Sequence, residues 1–179
     1  PASNPATDII PGTVPAAPIL DSVQIGNNQL VVYYTPPTNN GGAAITGYHL
    51  LPWNILINNA SNPIVLDAIN GTAYNVKIAA KNFFGLSEYS NQIAATPGTV
   101  PSAPVITSIT SANRYLKVYF DTVSNGGRPI TNYKYRLNNG PELTEITTDI
   151  TSPINITGRA TTGGLLTNGQ SYNVKISAQ

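Results

Sequence analysis

The side chains able to do chemistry in this chain are few. His49 is its one histidine, and it stands beside Tyr48 in a run that reads as a strand. A Ser/His/Asp relay could be drawn through it with any of many serines. Such a relay needs a nucleophile, a base and an orienting carboxylate in fixed geometry, and no spacing here selects them. A lone histidine on a strand reads instead as a surface or cross-strand packing group. Glu142 and Glu145 lie three apart in an expected strand, where a period of two sends them to opposite faces, so they do not form a glycosidase pair. Asp8, Asp21, Asp67, Asp121 and Asp149 are scattered, without the alternating ligands of a calcium loop. Gly41-Gly42 and Gly126-Gly127 lack the lysine and the following helix of a phosphate cradle and read as turns. Cysteine is absent, which removes thiolate nucleophiles, thiolate metal sites and disulfides. The residues predict a non-enzymatic protein with no catalytic residues, no cofactor and no metal.

Recognition is the remaining chemistry. Nine Lys and Arg against eight Asp and Glu leave a net charge of +1, with no electrostatic footprint for nucleic acid or an anionic membrane. No apolar run has membrane-spanning length, so neither nucleic acid nor membrane insertion is expected. Phe83-Phe84, adjacent aromatics on an expected loop tip, are a candidate contact patch, the alternative being that one of them folds back onto the preceding linker. Trp53 is a second candidate, as a sugar-stacking platform or as a ring half-buried against its own sheet. Three glycosylation sequons begin at Asn59, Asn70 and Asn155. The second coincides with an Asn-Gly turn that already requires those residues.

The elements that must position these residues are marked by a repeat. Pro11-Gly12-Thr13-Val14-Pro15-Ala16-Ala17-Pro18 returns 86 residues on as Pro97-Gly98-Thr99-Val100-Pro101-Ser102-Ala103-Pro104. Proline fixes φ and has no N–H for a ladder, so residues 11–18 and 97–104 are expected to be semi-rigid connectors. They divide the chain into a tail strand of a preceding domain at 1–10, a first domain at 19–96 and a second at 105–179. Short β-branched and aromatic runs with Gly, Pro and Asn turns predict strands at 19–23, 29–35, 45–51, 53–57, 64–66, 74–79 and 88–95, and no helical period appears. The second domain repeats the order, with about 13 extra residues expected in the Gly158 to Gly164 stretch, and ends at Gln179 without a last strand. The chain opens on Pro1 with no signal peptide, and is expected to be part of a longer product.

Over nearly its whole length the chain resembles fibronectin type III modules. The resemblance rests on Leu30 to Pro37, Asn40-Gly41-Gly42 and Ile45-Thr46-Gly47-Tyr48, on Asn70 to Tyr74 as the entry to a strand with a corner tyrosine, and on Ala80 to Ser87 as the following loop. It implies an all-β fold of tandem immunoglobulin-like β-sandwiches, with Tyr74 and Tyr172 hydrogen bonded to nearby backbone. Where that family carries a core tryptophan, this chain has Tyr34 and Phe120, and Ala68 stands where the second unit has Leu166.

The texture of Thr131 to Gly140 is similar to repeats in structural proteins of large DNA viruses and in bacterial surface proteins. The expected role is a structural and interaction module of an extended array on a virion or another extracellular surface, a fibre or scaffold component that mediates protein contacts or adhesion. Its expected partners are other protein subunits or neighbouring domains of the array, with glycans as a further class. The rival reading is a spacer or accessory region of a secreted carbohydrate-active enzyme. The spare strand at 1–10 and the missing last strand of the second unit also raise strand donation between copies as an expectation.

Overall fold

A computed structural model describes residues 11–138, 140, 144–146, 150–157 and 165–179. The expected tail strand at 1–10, the Gly158 to Gly164 insertion, Glu142, Asp8 and Asp149 lie outside the described residues. The chain divides into two compact units between Gly98 and Thr99.

In unit 1, β1 (Ile19–Gly26), β2 (Gln29–Thr35) and β5 (Ile64–Asp67) form one antiparallel sheet in the order β1-β2-β5. The second sheet runs β4-β3-β6-β7, from β3 (Gly47–Leu51), β4 (Ile55–Asn58), β6 (Tyr74–Asn82) and β7 (Gly85–Leu86), and β8 (Ile93–Ala95) also pairs with β6. Alternation produces the core: Leu30, Val32 and Tyr34 of β2 point inward to meet Leu50 of β3 and Val76 and Ile78 of β6. This is the expected immunoglobulin-like sandwich.

Unit 2 builds the same two layers from β9 (Ile106–Ala112), β10 (Tyr115–Phe120) and β13 (Ile154–Ile156) on one side. The other side holds β11 (Tyr133–Leu137), β12 (Thr144–Ile146) and β14 (Val174–Ala178). Val118, Ile154 and Ile156 are its innermost side chains. The fold is therefore all-β, two β-sandwiches in tandem.

Two local expectations are revised, and one segment gains detail. Trp53 does not begin a strand: it lies in the turn between β3 and β4, which starts at Ile55. The run at 88–95 is not one strand. Ser87 and Ser90 each donate their N–H to β6, at Ala80 and Ile78, and accept the N–H of the same residue on their hydroxyls. Side-chain oxygens thus replace carbonyls in the ladder, and regular pairing resumes only at Ile93. The segment at 11–18 is held closely by unit 1: Pro15 and Pro18 are buried, Thr13 N–H donates to the Gly41 carbonyl at 2.8 Å, and Ala16 N–H donates to Asn39 at 3.0 Å. Thr99 N–H donates to Gly126 in unit 2 in the same way, at 2.8 Å.

Candidate contact site

Asn82 closes β6, and its side chain is 1% exposed. Its Nδ2 donates to the Thr13 carbonyl at 2.7 Å and to the Asn40 carbonyl at 2.8 Å, while its Oδ1 accepts the N–H of Phe84 at 2.8 Å and of Gly85 at 3.2 Å. One amide so ties three segments together, with both donors and its acceptor used, as a buried amide requires. The linker must come close for this. Gly41 has φ of +72°, and a Cβ there would lie 2.1 Å from the Thr13 carbonyl oxygen. Gly126, with φ of +65°, stands in the same relation to Thr99 at 2.0 Å. Only glycine accepts both the left-handed backbone and the contact.

On this base sit the two phenylalanines, edge to face with ring centroids 5.3 Å apart. Phe84 lies against the linker: a Cβ on Gly12 would come within 2.1 Å of its Cε2. Phe83 is 86% exposed, and Val14 and Leu86 are exposed as well. Of the pair, Phe84 leans on the linker while remaining 42% exposed, and Phe83 stands in solvent.

Trp53 is placed elsewhere and is already engaged. Its ring stacks on Tyr74 with centroids 5.0 Å apart and planes 5° from parallel, and its Nε1 donates to the Asp67 carbonyl at 2.9 Å. Its neighbour Ala68 is small, whereas unit 2 places Leu166 in its core at the matching position. The structure does not bring Trp53 together with Phe83 and Phe84. His49 Nδ1 shares a hydrogen bond of 2.8 Å with the Tyr89 hydroxyl. No group of three or more His, Cys, Asp or Glu side chains able to hold a metal occurs among the described residues. Of the sequons, Asn59 and Asn155 are exposed, but the Asn70 amide is occupied, donating to Asn27 Oδ1 and accepting from the N–H of Asn28.

The scaffold beneath is shared by both units. Tyr74 accepts the Ile69 N–H at 2.9 Å, and Tyr172 accepts the Thr167 N–H at 2.9 Å. The aromatic that replaces a core tryptophan is paired in each unit, Tyr34 with Tyr48 at 4.5 Å and Phe120 with Tyr133 at 4.8 Å between centroids. Burial, with Tyr48 alongside, pushes the Tyr34 phenol up to about 12; burial likewise raises those of Tyr48 and Tyr133. Asn82 is the residue that sequence reasoning missed. The signal was a polar residue at the end of an apolar strand, immediately before two aromatics and a glycine.

No family model matches the chain. It is 32% identical over 127 residues to a Kelch domain-containing protein of Sulfurisphaera tokodaii, covering 69% of this chain and 18% of that protein. It is 29% identical over 101 residues to a Kelch domain-containing protein of Saccharolobus solfataricus, covering 55% of this chain and 14% of that one. The chain thus spans less than a fifth of the length of these curated relatives. Among solved structures, a crystal structure of titin domains matches with a TM-score of 0.40 at 21% identity, over 48% of this chain and 32% of that chain. The titin kinase with its flanking domains gives 0.39 at 15%, over 60% and 27%.

Proposed function

We propose that the chain is a non-enzymatic structural and interaction module of a longer array on a virion or cell surface, making protein contacts through the Phe83-Phe84 tip. The observation that carries this reading is the Asn82 clamp. An exposed aromatic usually costs solubility, and here four hydrogen bonds from one buried amide hold the loop that presents it. A rigid aromatic loses little conformational entropy on binding, which makes such a tip an economical anchor for a protein partner. The relatives support a modular role, since in each the matching segment is a small part of a longer Kelch domain-containing chain. Neighbouring domains of the array, or other subunits, are the proposed partners, outside the cell or on the virion.

The test is a photo-reactive benzoylphenylalanine at position 83 in the intact gene product, with cross-links mapped by mass spectrometry. Cross-links to defined protein peptides, lost when the reactive residue is moved to the exposed Ile19, support the reading. Absence of protein cross-links at position 83 contradicts it.

The alternative is a spacer in a secreted carbohydrate-active enzyme, with glycans as partners. Trp53 would be its sugar platform, but its stacking on Tyr74 leaves that ring less available than Phe83.

A further inference from the structure

We infer that β4 is a self-pairing edge through which two copies of this chain join their sheets, independently of the Phe83-Phe84 tip. Among the described residues, β4 ends its sheet and pairs with β3 alone. Which backbone groups it leaves open follows from the register. The N–H groups of Ile78 and Ala80 go to Ser90 and Ser87 on one side of β6, so Ala79 and Lys81 face β3, opposite His49 and Gly47. Tyr48 and Leu50 are then left to bond Ile57 and Ile55 of β4. Leu56 consequently turns both its N–H and its C=O outward, followed in alternation by Asn58, while Asn54 lies in the turn before β4 with φ of +55°.

The sequence around this open edge reads the same in both directions: Asn54-Ile55-Leu56-Ile57-Asn58. In an antiparallel pair with a two-fold axis at Leu56, the Leu56 residues of two copies exchange two backbone hydrogen bonds. Ile55 then faces Ile57 of the other copy. Like meets like across the axis, as an isologous interface requires. The segment itself brings no repulsion, because no charged residue occurs from Leu51 to Leu66. Edge strands are ordinarily guarded by charge, proline or bulges, and this one has none within it. Ile55 and Leu56 are also exposed apolar side chains, so the contact would bury them. The occupant is therefore a second copy, in a closed dimer that needs nothing from residues 1–10.

The chain has no cysteine, so single cysteines report the geometry cleanly. Leu56→Cys places two thiols on the axis, where hydrogen-bonded antiparallel partners stand about 5.5 Å apart at Cα, within disulfide range. Val65→Cys, on the exposed edge strand β5, is the control. The expected result is a concentration-dependent dimer in sedimentation, and disulfide-linked dimer from Leu56→Cys at least about tenfold faster than from Val65→Cys, given that only the first pair is held in range. Leu56→Lys and Leu56→Glu should each sediment as monomer, and their mixture as dimer. Sedimentation as monomer at every concentration, or equal cross-linking of the two cysteine variants, overturns the inference. Trp53 fluorescence reports folding, and if the charged variants do not fold the cysteine comparison decides alone.

Discussion

At the scale of residues, a few side-chain oxygens stand in for backbone acceptors. Tyr74→Phe and Tyr172→Phe each remove the acceptor of an exposed backbone N–H and should destabilise their unit by about 0.5–1.5 kcal/mol, measured by denaturant midpoint. An unchanged midpoint would mean that water replaces the hydroxyl. Tyr34 makes stability depend on pH in a definite direction. Its pKa in the fold is about 12 against an ordinary 10.0, so the neutral phenol is the form the fold favours. The contribution is complete below pH 10, where both states keep the proton. It is lost as pH rises from 10 to 12, because the unfolded chain ionises first. The urea midpoint should fall over that window, and Tyr34→Phe should flatten the fall; an equal slope in the variant would contradict the assignment.

At the scale of elements, each unit fits its linker to its glycine loop and its aromatic to its neighbour. Gly41→Ala and Gly126→Ala force a Cβ against a carbonyl at positive φ, and each should cost more than about 1 kcal/mol in thermal or chemical unfolding. A smaller effect would show that the linker can lift away at little cost. Trp53, half-buried, packs against the cluster that includes Ala68, where unit 2 has Leu166, so Trp53→Ala should destabilise unit 1 by about 1–2 kcal/mol. Ala68→Leu should recover part of that loss in the double variant yet destabilise the parent; strict additivity would refute the exchange of volume. Much at this scale was legible in the sequence. Asn70-Gly71 and Asn168-Gly169 and the β2 and β6 alternation follow from local chemistry that recurs in both units, and the corner tyrosines were implied by the resemblance. The interruption of the expected strand at 88–95 was not legible, because only the bonds of the Ser87 and Ser90 hydroxyls to β6 reveal it. Nor was the closeness of the linker, since prolines read as extended whether they lie in solvent or against a loop.

At the scale of the whole molecule, the two units repeat the same supports, while the aromatic tip is described in unit 1 alone. Asn27, Asn28 and Asn70 are matched by Asn113, Arg114 and Asn168, down to the same bonds. The tip was only half legible: two adjacent aromatics marked the loop, but the amide that holds it has partners up to 69 residues away, which no local pattern records. A module of this kind should show no hydrolase turnover, and turnover abolished by His49→Ala would contradict that. Whether the tip is built and held is measured by amide hydrogen exchange. The N–H groups of Phe84 and Gly85 should exchange slowly, and Asn82→Ala should speed both by about tenfold or more, the loss expected for a hydrogen bond of about 1.4 kcal/mol or stronger. Exchange of both amides at the rate of an open loop in the parent chain would contradict the account.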